Sequence, residues 1–418
     1  MYTALVIHGL ALLTVTWWVT RRCGSVINPV TYFAGFYAVQ SLLSPFLYGT
    51  LGLFDDTDPD VIAVTAFYSS LYFACIALPF LLAKPRLYIR MHRIGRRLLP
   101  RKVRITRGTY VAIGLQLLAV FMLLIVASGT TLWLTEPRVA YQDSRAGAGV
   151  WWSQCQAMLV LGMAAYITRR QRKLWQIAVA CFIAGYGASF LGSKAFMLFP
   201  VILAAFYYEH AVRPIPRIAV LVGALTMATG VFALQLIQGT AVSVAETIAY
   251  FDYFPNTTKF MADFGERFEH TYGGTWLSSL WQYVPRGLVS SKPFVYGQVV
   301  IMETYSPGAA ELGATPGILP WAAAYLDFGA LGVIAEGYVV GLISWYSFIL
   351  LRVRRDLVAL LVLGQIGLIT SAFAAPFYGA PFLLFLAWLT VQIFWLRIVA
   401  GPKRRRIRQA AVATPAQL

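Results

Sequence analysis

Long apolar runs recur along almost the whole chain, and they constrain the fold more than any other feature. The runs lie near 2–20, 27–50, 61–83, 109–133, 150–168, 174–191, 195–212, 216–238, 319–351, 356–374 and 381–399. A helix needs roughly 20 apolar residues to cross a bilayer. Because lipid offers no partner to backbone polar groups, we expect each run to be helical. The sequence therefore predicts an all-α polytopic membrane protein with about eleven transmembrane helices.

The balance of charged and apolar residues excludes an ordinary soluble domain. Charged residues make up 12% of the chain and hydrophobic residues 59%, whereas soluble domains have about 25% charged residues. The net charge of +17 does not predict nucleic-acid binding, because the basic residues cluster in short segments between apolar runs. The four cysteines are scattered and form no CxxC pair, so neither a disulfide framework nor a metal site is indicated.

The distribution of Lys and Arg predicts the orientation of the spans. Most of the 34 basic residues fall in segments that eleven crossings place on one side, namely 21–22, 84–107, 169–173, 213–217, 352–355 and 397–408. The positive-inside rule makes that side cytoplasmic, with the N-terminus outside and the C-terminus cytoplasmic. Residues 1–418 then form a single transmembrane domain with one large extracytoplasmic loop, 239–318, and a disordered tail, 409–418. The run 319–351 is too long for a simple span, so we expect a tilt or a preceding re-entrant piece at GILPWAAAYLDFG.

Two arginines on the predicted extracytoplasmic side share a pattern. Arg138 is followed after ten residues by Gly149, and Arg286 is followed after ten residues by Gly297. Each arginine also has a second cation nearby in sequence. The basic residues predicted to lie on this side are Arg138, Arg145, Lys194, Lys259, Arg267, Arg286 and Lys292. Since topology does not call for cations there, we interpret them as candidates for binding an anion, with snorkelling to lipid phosphates or helix capping as the alternative.

With these motifs the chain resembles the Wzy-type polymerases, which join oligosaccharide repeat units of O-antigen or exopolysaccharide. That family is similar in having ten to fourteen spans, one large periplasmic loop and R-x10-G motifs in two periplasmic loops. The segments GSKAFMLFP, YVPRGLVSSKP and ATPGILPWAAAYLDFGALGVIAEGYVVG also resemble segments of the family. The resemblance covers most of residues 109–398, and the first hundred residues match only in hydrophobicity. It implies a GT-C-like glycosyltransferase in the bacterial inner membrane, with its active face periplasmic.

The resemblance also implies a reaction. A glycan chain on undecaprenyl diphosphate is transferred to a new lipid-linked repeat unit, with no metal or nucleotide cofactor. Arginine pairs bidentately with phosphate oxygens and stabilises the charge that develops on a leaving diphosphate. Glycine lets backbone N–H groups approach an anion closely. We therefore predict Arg138 and Arg286 as catalytic residues. The predicted diphosphate-binding residues are Arg145, Lys194, Lys292, Gly149 and Gly297.

An acceptor hydroxyl is helped by a general base. The predicted candidates for this base are Asp143, His270 and Asp327. Asp143 has the alternative role of pairing with its neighbouring arginines. Asp327 stands beside an apolar run, where a buried carboxylate is functional by default, or it marks a helix boundary. We expect Lys259 and Arg267 instead to pair with acidic neighbours, which are Asp263, Glu266 and Glu269.

Other functions stay open at the level of sequence. An O-antigen ligase uses the same donor with a lipid A-core acceptor, and it usually pairs its arginines with a prominent histidine, for which His270 is the candidate. A lipid-linked oligosaccharide flippase predicts more charges within the spans than the Asp327 and Glu336 seen here. A non-catalytic membrane scaffold is a third alternative. The predicted partners are the lipid-linked donor and acceptor, membrane lipids, and a chain-length regulator and flippase of the same pathway, without nucleic acid.

Overall fold

The computed structural model describes most of the chain, in ranges separated by short gaps. The described residues are 2–50, 57–82, 103, 105–143, 145–169, 173–192, 194–237, 253–284, 289, 291–311, 317–368 and 380–399. Within these ranges the regular secondary structure is helical, and an isolated bridge pairs Phe264 with Phe268. The predicted disordered tail, 409–418, and most of the basic segment 84–107 lie outside the described residues.

The helices follow the apolar runs. They are numbered here in chain order: α1 (Tyr2–Cys23), α2 (Pro29–Ala38), α3 (Ser44–Thr50), α4 (Pro59–Leu82), α5 (Arg107–Ser128), α6 (Pro137–Asp143), α7 (Arg145–Arg169), α8 (Leu174–Ser189), α9 (Lys194–Tyr207), α10 (Arg217–Ile237), α11 (Tyr253–Ala262), α12 (Gly274–Ser279), α13 (Val299–Tyr305), α14 (Ala322–Arg354), α15 (Leu357–Val362) and α16 (Ala380–Val399). Four of them, α1, α4, α5 and α14, are long and apolar enough to cross a membrane. The chain is therefore an all-helical protein with membrane-spanning character.

Several predicted spans are interrupted helices. The run 27–50 contains α2 and α3 joined by a π-helical turn, Val39–Leu43. A π-helical turn, Tyr208–Val212, also extends α9, and another, Leu363–Leu368, extends α15. The overlong run 319–351 is broken at Gly329, whose backbone (φ 60°, ψ −144°) is not helical. The first seven residues of α14 are thus a separate helical piece ahead of the kink, as the length of the run led us to expect.

The centre of the protein is the packing of α14 on α4. Glycines allow the two backbones to approach closely: a β-carbon built on Gly337 would lie 2.9 Å from the Tyr72 carbonyl oxygen. This pair also buries Glu336, which is 3% exposed and whose two carboxyl oxygens have no hydrogen-bond partner among the described residues. Helix α1 adds the buried His8, which is hydrogen-bonded to Ser41 and Ser70.

The described part of the large loop rests on one end of this central pair. The Asn256 amide of α11 donates to the Gly317 carbonyl at 3.0 Å. The Leu319 amide donates to the Thr257 hydroxyl at 2.8 Å, just before α14 begins. Aromatic rings continue the contact, since Phe260 packs edge-on against Tyr325. The described part of the loop is therefore fixed to the first turns of α14.

Candidate functional site

The first group of predicted site residues meets where α6, α7 and α9 begin. Pro137 opens α6, where its missing N–H is no loss. The turn before α9 passes so close to α6 that a β-carbon on Gly192 would lie 2.5 Å from the Pro137 carbonyl oxygen and 2.8 Å from the Tyr141 β-carbon. Gly192 also has φ +65°, a conformation that favours glycine. The backbone positions of Arg138 and Lys194, next to these contacts, are thus brought to one corner.

Aromatic side chains hold this corner together. The Trp152 indole N–H on α7 donates to the Leu191 carbonyl at 2.7 Å, and the rings of Trp152 and Tyr141 lie 5.1 Å apart. Trp133 is fully buried beneath the corner. The first turns of α7 are therefore tied, through Trp152, to both α6 and the turn before α9. The side chains of Arg138, Asp143, Arg145 and Lys194 lie outside the described part of the structure.

The two R-x10-G motifs have different local structures. Gly149 is the fifth residue of α7, and in an α-helix the fifth amide already bonds to the first carbonyl. Gly297 instead has φ +58° ahead of α13, and its amide donates to the Ser278 hydroxyl at 3.0 Å. Neither amide is available to an anion in this arrangement, so the role predicted for the glycine amides receives no support. Arg286, the arginine of the second motif, lies outside the described residues.

Lys292 is the predicted site cation whose side chain is described. It is 9% exposed, and its ammonium donates to the Val284 carbonyl at 3.0 Å. The same Nζ atom lies 4.9 Å from the centre of the Tyr296 ring, within range of a cation–π contact. Lys292 therefore ties residue 284, just before the segment that carries Arg286, to the residues leading into α13.

The predicted base Asp327 holds the loop in place. Its side chain is 0% exposed and accepts hydrogen bonds from the amides of Thr275 (3.0 Å) and Trp276 (2.9 Å) and from the Thr271 hydroxyl. The Tyr272 amide also donates to the Asp327 backbone carbonyl at 3.1 Å. Asp327 thus caps the first turn of α12 from another helix. A carboxylate with these contacts positions the loop, and the geometry gives no support to its service as a general base.

The predicted base His270 is arranged differently. Its Nδ1 atom lies 3.3 Å from the Leu326 carbonyl oxygen, which can only accept a hydrogen bond. Nδ1 therefore carries the proton, and in the neutral ring Nε2 is the accepting nitrogen. The ring is partly exposed and packs beside Phe264 and Tyr325, with ring centres 4.8 Å and 5.9 Å away. His270 thus offers an oriented imidazole at the loop end of the bundle.

The contacts of Arg267 and Lys259 can be compared with the predicted pairing of these two loop cations with acidic neighbours. The Arg267 Nε atom lies 4.0 Å from a carboxyl oxygen of Asp263, so the predicted pairing is present at long range. Lys259 instead lies over the Tyr305 ring, with Nζ 4.5 Å from its centre. Glu303 accepts from the amides of Gly308 (2.6 Å) and Ala310 (2.9 Å), which lowers the pKa of its carboxyl.

The sequence predicted a separate piece that ends at Gly329, but it did not predict that His270 packs on the kink there. A β-carbon there would lie 3.3 Å from Cε1 and 3.4 Å from Nε2 of His270, so the imidazole packs directly on the kink. The sequence signal was the Asp-Phe-Gly end of YLDFG, but a single glycine in an apolar run does not reveal a positive φ. Helix α16 contacts both α7 and the 3-10 turn Leu280–Tyr283.

Comparison of the chain with family models, curated proteins and solved structures gives no match.

Proposed function

We propose that the chain is a polyprenyl-diphosphate-dependent glycosyltransferase of the Wzy type, which joins undecaprenyl diphosphate-linked oligosaccharide repeat units. It is a multi-pass protein of the bacterial inner membrane with about eleven spans, a GT-C-like arrangement and a cytoplasmic C-terminus. Its site faces the periplasm. The occurrence of a helix in every predicted apolar run supports the helical, membrane-spanning part of this proposal. The partners are the lipid-linked donor and acceptor, together with the flippase and chain-length regulator of the pathway.

The observation that carries the proposal is the corner where α6, α7 and α9 begin. There the turn at Gly192 packs on Pro137 and Tyr141, which brings the backbones of two predicted cationic positions together. The first turns of helix α7 pack on the same corner through Trp152, and the first four amides of a helix have no partner within it. A helix N-terminus also favours negative charge. Fixed cations beside such a terminus suit a diphosphate at the membrane surface.

The reaction needs no redox step. An acceptor hydroxyl oxygen attacks C1 of the donor sugar, and the bond from C1 to the diphosphate oxygen breaks. The leaving undecaprenyl diphosphate keeps the bonding electron pair, and the hydroxyl proton passes to a base. Arg138 and Arg286 stabilise the charge on the leaving group. Of the base candidates with described side chains, His270 fits better than Asp327, because its Nε2 is oriented and Asp327 is used as a cap.

The test is a gel of surface and lipid-linked glycans from a strain that lacks this chain. The strain is complemented with wild type, Arg138→Ala, Arg138→Lys, Arg286→Ala or Arg286→Lys. We expect loss of the long-chain ladder in the deletion, and a drop of about 10²–10³ in polymerising activity for each alanine variant. Each lysine variant should fail nearly as badly, because an ammonium lacks the planar fork of arginine. Arg267→Ala, which removes an exposed loop cation, is the matched control and should keep the ladder.

Two observations favour other functions, and the same gel separates them. His270, oriented by the Leu326 carbonyl, also suits an O-antigen ligase. In that case the deletion strain accumulates long chains still on undecaprenyl diphosphate. Glu336, a buried carboxyl within a span, suits a transporter. In that case repeat units are trapped on the cytoplasmic side. If an alanine variant at normal protein level keeps full activity, the arginine it replaces does not belong to the catalytic site.

A further inference from the structure

A short loop segment turns its apolar side chains outward and its polar side chains inward. The segment comprises Tyr272, Gly273, α12 and the first two residues of the 3-10 turn, and we call it the foot (272–281). Thr275 and Ser279 are each 3% exposed and face the protein. The large apolar side chains are exposed, namely Tyr272, Trp276, Leu277, Leu280 and Trp281. The last four stand at i, i+1, i+4 and i+5, which is one face of a helix.

Specific hydrogen bonds hold the foot with its polar side chains inward and its apolar side chains outward. The carboxylate of Asp327 accepts the amides of Thr275 and Trp276, so the start of α12 cannot rotate without losing both hydrogen bonds. The Ser278 hydroxyl accepts the Gly297 amide on the protein side. Because the polar residues are used internally, the exposed apolar face is a fixed feature of the loop. In water such a face is unfavourable, and it therefore points to an apolar partner.

The position of the foot identifies that partner. A β-carbon on Gly273 would lie 3.1 Å from the Phe328 ring, so the foot touches the first helical piece of α14. Phe328 is 49% exposed and Leu331 is 75% exposed on α14, a helix long and apolar enough to span a membrane. Exposed apolar side chains on a spanning helix face lipid. The exposed face of the foot is therefore continuous with the lipid-facing surface of α14, at the end of that span.

We propose that the foot (272–281) inserts into the membrane surface, on the side of the bilayer where the large loop lies, with acyl chains and head groups as its partner. Tryptophan and tyrosine suit this depth because their rings are apolar and each carries one polar atom. The proposal rests on packing and exposure alone and does not depend on the proposed glycosyl transfer.

The test uses the full-length chain reconstituted in phosphatidylcholine liposomes. A nitroxide label is placed at Leu277→Cys, with Glu266→Cys in the exposed polar turn of the same loop as the matched control. Both are made in a background whose native cysteines are replaced by alanine, namely Cys23, Cys75, Cys155 and Cys181. Collision with oxygen, which concentrates in lipid, is compared with collision with a water-soluble nickel chelate. We expect the oxygen-to-nickel ratio at residue 277 to exceed that at residue 266 several-fold.

Two outcomes overturn the proposal. Equal ratios at the two sites mean that the foot faces water, and a label at residue 277 shielded from both reagents means that protein covers it, such as a second copy of the chain. If the cysteine-free background does not fold, quenching by brominated acyl chains is measured on the chain with its native cysteines and 12 tryptophans. The double variant Trp276→Phe/Trp281→Phe should then lose quenchable fluorescence. If the double variant instead loses only fluorescence that the brominated acyl chains do not quench, these two tryptophans do not contact lipid and the proposal is overturned.

Discussion

Replacement of Asp327 tests whether this residue positions the loop or carries out chemistry. Its buried carboxylate accepts two backbone amides, from Thr275 at 3.0 Å and Trp276 at 2.9 Å. Leaving a buried donor unsatisfied costs about 1–3 kcal/mol. Asp327→Ala leaves both amides without this partner, so we expect α12 to lose about 4 kcal/mol of local stability. Asp327→Asn keeps one accepting oxygen, and its loss should be roughly half as large.

The loss should be local, because these hydrogen bonds fix the loop to α14. Hydrogen exchange of the amides in residues 274–279, measured on the protein in lipid nanodiscs, reports the free energy of opening of this segment. Asp356→Asn is the matched control. Asp356 caps α15 through the Ala359 amide at 3.0 Å, and asparagine keeps an oxygen that can accept this bond, so the variant should change α15 little and leave residues 274–279 unchanged.

The result that refutes the positioning role is unchanged protection of residues 274–279 in Asp327→Asn. If that variant is protected as wild type and yet fails to build the glycan ladder, Asp327 has a chemical role that its hydrogen bonds do not reveal. The positioning role stands if protection and activity fall together in Asp327→Asn. Thr271→Val, which removes another donor to the same carboxylate, should then weaken both to a smaller degree.

Three further perturbations test other features of the structure. Gly329→Ala should lower the free energy of thermal unfolding by about 2–3 kcal/mol, because residue 329 has a positive φ and a β-carbon there would press on the His270 ring. The control Gly129→Ala, at a position with positive φ but open space, should lower it by only about 1 kcal/mol. Because the Gly308 amide lowers the pKa of the Glu303 carboxyl, the protection factor of that amide should be full above about pH 4.3 and fall as the pH drops through the lower, folded pKa. Glu303→Gln should abolish this pH dependence, and a persisting dependence contradicts the assignment. Glu336→Met removes a buried carboxyl without a described partner, so it should leave the free energy of unfolding unchanged or raise it by about 1 kcal/mol. A clear fall in the unfolding temperature contradicts this expectation.

The predicted functional pattern and the observed geometry differ at the glycines. The R-x10-G spacing treats Gly149 and Gly297 as equivalent, but one lies inside a helix and the other in a left-handed turn. A fixed spacing of ten residues specifies no backbone conformation, so it could not distinguish them. Asp327 was an even choice between a functional carboxylate and a helix boundary. Its hydrogen bonds to residues more than 50 positions away favour a structural role, and no local pattern predicts such partners.

The sequence by itself determined the class of structure and the approximate limits of the helices. Apolar runs, Pro137 at a helix start and the excess length of run 319–351 act through local backbone preferences and through the lack of polar partners in lipid. Only the tertiary structure decided which of these elements meet. The close approach of Gly192 to α6, the packing of His270 on the kink at Gly329 and the outward apolar face of the foot all depend on contacts between distant segments. Such contacts arise from the shapes of packed helices, and the order of residues along one helix does not contain them.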